Sequence, residues 1–123
     1  MAEITREEIA GALAGVTVTH DGQTQQMAPT VAQPPALAAW QVWPDWQSAV
    51  WVSGCVVERT WQVYVILPAA DAQTWTSATD AVLNAVRTAL LNVGHVSRAE
   101  PIQLVASEQS LTMPAVAFTL LTN

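Results

Sequence analysis

The sequence predicts an α+β domain: a mostly antiparallel β-sheet with one long helix packed across it and a short N-terminal helix. Three observations lead there. From about residue 72 to 92, Trp75, Val82, Val86, Ala89, Leu90 and Val93 recur at helical spacing, while Asp80, Asn84, Arg87 and Thr88 line the opposite side. Over Thr60–Leu67 the side chains alternate, with Trp61, Val63, Val65 and Leu67 on one face and Thr60, Gln62, Tyr64 and Ile66 on the other. Strand signals come in runs on either side of the long helix rather than alternating with helices.

Residues 4 to 15 form the N-terminal helix. Thr5 is the N-cap, Glu8 completes a capping box, and Ile4 with Ile9 forms a hydrophobic staple. Glu7 and Glu8 sit where the helix dipole favours negative charge, and Gly15 ends the helix. Val16–His20 reads as a short strand and Asp21-Gly22 as a turn. Residues 23 to 35, with Pro29, Pro34 and Pro35, read as an extended loop or arm held near polyproline geometry. A loop of that length suggests a use, such as lying on a neighbouring subunit.

Ala36–Val42 reads as a strand that Pro44 ends. Val50–Arg59 is a second candidate strand with Gly54 as a bulge, and Val50 to Leu67 reads equally as one long bent strand or as two with a bulge between them. Pro68 stops it, Asp71 or Thr74 caps the long helix, and Gly94 ends that helix. Two strands follow, His95–Ser107 and Pro114–Thr122, joined by a turn at 108 to 112.

Composition bounds the function. The chain has 123 residues, so one domain is expected over 1–123. It is 51% hydrophobic and 11% charged, the reverse of a disordered composition. Four arginines (Arg6, Arg59, Arg87, Arg98) stand scattered against ten carboxylates, a net charge of −6. Gripping a nucleic-acid backbone needs clustered cations, so that function is not expected. The lone cysteine, Cys55, points to a reducing compartment and reads as a small buried hydrophobe. No signal peptide and no apolar run long enough for a membrane helix is visible.

Chemical motifs are sparse. His20 and His95 read as structural, the first at a strand end and the second beyond a helix stop. There is no metal-ligand spacing and no glycine-rich phosphate loop, so neither metal nor cofactor is expected. The carboxylates Asp71, Asp80, Glu100 and Glu108 fall on caps, turns and strand ends with nothing to favour acid–base work, and no enzyme activity is expected. The anomaly is six tryptophans, of which Trp40, Trp43, Trp46 and Trp51 fall within twelve residues. Trp61 and Trp75 fit in the core of so small a domain, but six indoles overfill it. Some of Trp40, Trp43, Trp46 and Trp51 are therefore expected in a subunit interface, where tryptophan is enriched. A sugar- or peptide-binding surface is the other use for them.

The C-terminal stretch "ATDAVLNAVRTALLNVGHVSRAEPIQLVASEQSLTMPAVAFTLLT" resembles the tail terminator (tail completion) proteins of long-tailed bacteriophages, especially those of actinobacteria. The opening "TREEIAGALAGV" is similar to the start of such small connector proteins, and the lysine-free, Ala-, Thr- and Val-rich composition fits a high-GC host. The resemblance covers the whole chain in element order and the residue pattern from about 71 to 122. It implies a virion protein, assembled in the host cytoplasm into a ring, usually a homohexamer. Such a ring caps the head-proximal end of the tail tube, stops its polymerisation, and docks to the head connector or head-closure protein. Genomic DNA would pass through the lumen without specific binding, as a neutral or acidic wall allows. No catalytic residue comes with the resemblance. A head-closure or adaptor protein of the phage neck is the neighbouring reading.

Overall fold

A computed structural model describes residues 4–20, 22–54, 57–68, 72–106 and 111–122, apart from the side chains of residues 72–75, 106 and 111. The elements run α1 (Arg6–Leu13), β1 (Thr17–His20), β2 (Gln23–Gln26), β3 (Ala28–Pro29), β4 (Gln41–Trp51), β5 (Val57–Ile66), α2 (Ala72–Leu90), β6 (His95–Ala106) and β7 (Leu111–Thr122). Five strands form one sheet in the order β3-β4-β5-β7-β6, and β1 and β2 form a separate hairpin. Only the short β3–β4 pair is parallel; the other pairs are antiparallel. The α+β class with a mostly antiparallel sheet, a long helix and a short N-terminal helix is thus the observed one.

The main core lies between α2 and one face of the sheet. Val82, Val86 and Leu90 repeat every four residues along α2 and are fully buried. They meet Val63 and Val65 of β5 and Val116, Phe118 and Leu120 of β7 in one cluster. The β5 alternation holds as expected: Trp61, Val63, Val65 and Leu67 all face this core. Ile9 and Leu13 bring α1 into it, with Thr5 as N-cap accepting from the Glu8 amide at 3.2 Å. Ile4 packs against the same cluster. The second face carries a smaller cluster of Leu37, Trp43, Ile66, Met113 and Ala115.

Four boundaries differ from the sequence expectation. Residues 23–26 are a strand, paired with β1 from Thr17↔Gln26 to His20↔Gln23. β2 is polar throughout, so no apolar alternation announced it, while β1 reads from its alternation and buries Val18, and Met27 beyond β2 anchors the chain in the core. The strand expected over 36–42 begins only at Gln41 and runs through Pro44 to Trp51. Proline is tolerated because its carbonyl, and hence its missing N–H, faces away from β5, where Arg6 Nη1 donates to it at 3.1 Å. The segment before β4 covers the second face through Leu37. Gln41 props it, accepting from the Ala38 amide at 2.9 Å and donating to the Ala36 carbonyl at 3.2 Å. The run from Val50 to Leu67 is neither one bent strand nor two in line. β4 and β5 pair antiparallel out to Trp51↔Val57, so the chain reverses between them. Leu111 and Thr112, expected in the last turn, belong to β7. Asp21, Cys55, Asp71, Glu108 and the Trp75 side chain lie outside the described residues.

Gly94 ends α2 for a different reason from the one expected. Its amide donates to the Leu90 carbonyl at 3.0 Å. Gly15 and Gly22 adopt positive φ, but Gly94 does not. A Cβ at position 94 would overlap the Leu121 carbonyl oxygen and crowd Leu120 and Thr122, each at 3.0 Å. Glycine is needed for close approach of the helix end to β7. Gly94→Ala is expected to cost about 1–3 kcal/mol, read as a lower midpoint in urea unfolding. An unchanged midpoint would show that the helix end moves aside freely.

Candidate interaction surface

The surface of interest is built by the end of the β4–β5 hairpin. The pairing of β5 with β7 stops at Arg59↔Thr122. Beyond that point β4 and β5 continue as a two-stranded ribbon to Trp51↔Val57. Direct pairing places Trp46 beside Trp61, Ala49 beside Arg59 and Trp51 beside Val57. A register shift between Trp46 and Ser48 keeps these pairs on the face that carries the main core. The other face of the ribbon carries Val50 opposite Glu58. The ribbon end is therefore apolar on both sides: Trp46 is 47% exposed, Trp51 68%, and Val50 and Val52 are also exposed.

On the core side these residues enclose an open groove of about 520 Å³. Three indoles line it (Trp46, Trp51 and Trp61), with Ala49, Val57 and the guanidiniums of Arg6 and Arg59. Arg6 is held in place from three sides. It donates to the carbonyls of Pro44 at 3.1 Å and Val31 at 3.4 Å, and its guanidinium lies 5.6 Å from the centre of the Trp61 ring. The Trp61 indole N–H is spent internally, on the buried Thr122 hydroxyl at 3.0 Å. Trp61 is thus a fixed wall, while Trp46 and Trp51 are the exposed ones.

The four tryptophans singled out by sequence separate into two pairs. Trp46 and Trp51 are on the exposed ribbon. Trp43 is 2% exposed and packs at 5.7 Å from Tyr64 in the second cluster. Trp40 is half-buried against the main core, edge-on to His20 at 5.9 Å. It holds a left-handed backbone with φ of 70°. Its amide donates to the Ile66 carbonyl at 2.8 Å. For Trp43 the chain's own core takes up the indole, which corrects its place among the interface candidates. Arg6 and Val57 escaped sequence reading because tertiary folding alone brings them to the groove.

Tyr64, the only tyrosine in the chain, has its phenol pushed above the ordinary value of 10.0, first by burial and then by the Asp45 carboxylate. The folded state therefore favours the neutral phenol. This contributes stability that is complete below pH 10 and is lost as pH rises through the higher folded value. Tyrosine absorbance at alkaline pH is expected to titrate later in the folded protein than in urea. Coincident titrations would remove this coupling.

Elsewhere the polar chemistry is modest. The His20 Nε2 and Ser77 Oγ lie 2.9 Å apart at the surface, a pair 57 positions distant in sequence. Among the described residues no group of three or more His, Cys, Asp or Glu side chains could hold a metal ion. No helix there is long and apolar enough to cross a membrane. No protein-family model, curated protein or solved structure matches the chain.

Proposed function

We propose that this chain is a structural virion subunit, a tail terminator that forms a ring on the head-proximal end of a phage tail tube. The observation that carries the reading is the β4–β5 ribbon end, where Trp46, Val50, Trp51 and Val52 stand exposed within seven residues. A small monomer rarely leaves such a patch open to water, and a rim of polar groups around indoles is how protein contacts are built. The resemblance of the chain to tail terminators supplies the assembly in which that surface is covered. A ring made of head-to-tail contacts closes on itself and leaves no ribbon unpaired. The charge of −6 suits a channel that passes DNA without holding it.

The groove with its three indoles favours a second reading, a small carbohydrate- or peptide-binding module. One experiment separates the readings. The purified protein is mixed with cognate tail tubes and, separately, with portal-bearing heads, and both are imaged. Density capping one end of each tube supports the terminator. Binding to the portal alone indicates a head-closure or adaptor protein of the neck. Binding to neither, with indole fluorescence that shifts on adding oligosaccharides, indicates the binding module.

A further inference from the structure

Two of the chain's four arginines, Arg6 and Arg59, line the groove at the ribbon end, beside three of its six tryptophans. Both arginines are half-buried there, in a chain of net charge −6. The guanidinium of Arg6 is fixed by the Pro44 and Val31 carbonyls and by the Trp61 ring. Both of those hydrogen bonds come from Nη1, and a guanidinium has five N–H donors. Its partners are neutral, and among the described residues no carboxylate pairs with it. A cation held in place, half out of water and without a counter-ion, favours an anion beside it.

The side chains that line the groove can donate hydrogen bonds but none can accept one, because guanidiniums and indoles are donors only. A sugar hydroxyl both donates and accepts, whereas a carboxylate only accepts, so the lining matches a carboxylate. The exposed carboxylates Glu7, Glu8 and Glu58 adjoin the two arginines in the chain. A run of phosphates would meet their repulsion, which a single carboxylate avoids. Ala49 stands opposite Arg59, and its short side chain leaves room for an apolar group between Trp46 and Trp51. The groove is open, and Val52, next in the chain to Trp51, adds exposed apolar surface, which suits a chain crossing it.

We propose that the groove receives an acidic, apolar segment of a partner protein, seating a carboxylate on the Arg6 guanidinium and a neighbouring apolar side chain over Ala49 between Trp46 and Trp51. The inference rests on the reading of the ribbon end as a protein contact and names the chemistry of what it receives.

The test is direct binding, read by indole fluorescence, at the dilution where light scattering gives the monomer mass. The probes are the end-blocked peptide acetyl-Leu-Glu-Leu-Glu-Leu-amide, its counterpart with Gln for Glu, a short oligothymidylate and cellohexaose. The Glu peptide is expected to bind at least about tenfold more tightly than the Gln peptide, with a preference that shrinks as salt is added. Arg6→Gln is expected to remove the preference. Ala49→Leu fills the groove without changing charge and is expected to weaken both peptides; it carries the test if thermal unfolding shows that Arg6→Gln does not fold. Equal binding of the two peptides, binding unchanged in both folded variants, a preference for oligothymidylate or cellohexaose, or no binding of any probe would each overturn the proposal. Ring formation is read separately from particle mass. Rings without a carboxylate preference would remove this site and leave the ring, and a permanent monomer that prefers the Glu peptide would remove the ring and leave this site.

Discussion

Replacing Trp46 and Trp51 together by serine is expected to leave the monomer folded and to abolish its assembly. Both indoles stand on the exposed ribbon and take no part in the buried clusters. Removing them therefore costs the monomer little. Buried tryptophans at the centre of a contact are worth about 2 kcal/mol or more each, which is roughly thirtyfold per residue in association. Light scattering on the double variant should report the monomer mass at concentrations where the native chain is assembled, with thermal midpoints that agree. A variant that unfolds would show instead that the ribbon is needed for stability. A variant that assembles normally would place the contact on another surface.

Phe118→Ala is expected to be the most damaging single truncation in the core. The ring is 1% exposed, sits at the centre of β7 opposite Val63, and belongs to the cluster under α2. Truncating a buried phenylalanine costs about 3–5 kcal/mol in lost transfer energy and residual cavity. Total stabilities of small domains run at about 5–15 kcal/mol, so the variant is expected to be partly unfolded or close to it. Val105→Ala, on the exposed edge, serves as the control and should change stability by less than about 0.5 kcal/mol. Equal urea midpoints for the two variants would contradict the assignment of the core.

The sequence was most legible where one physical pattern acted alone. The Thr5 N-cap, the stripe of Val82, Val86 and Leu90, and the alternation from Trp61 to Leu67 each reported local geometry or burial directly, and each stands as read. Strand β2 was illegible because Gln and Thr fill it and its place is set by pairing with β1, which was legible from its alternation and buries Val18. Pro44 misled because a proline in a strand is a stop only if its N–H would have been paired. The side on which it falls depends on the neighbouring strand. Gly94 marked the correct end for a reason of close packing that no local pattern carries.

The candidate surface was half legible. The density of tryptophan between residues 40 and 51 pointed to it, and Trp46 and Trp51 do lie exposed. The burial of Trp43 depends on Leu37 and Tyr64 meeting it on the second face, which single-sequence spacing does not encode. The groove needs Arg6 from the N-terminal helix and Trp61 from β5, brought together across 55 positions of chain.

Mass per particle, by light scattering behind a sizing column with negative-stain images of the same fraction, tests the ring most directly. The account predicts closed rings whose mass is a whole multiple of 13.2 kDa. A single species of 13.2 kDa at every concentration, with no ring in the images, would contradict it.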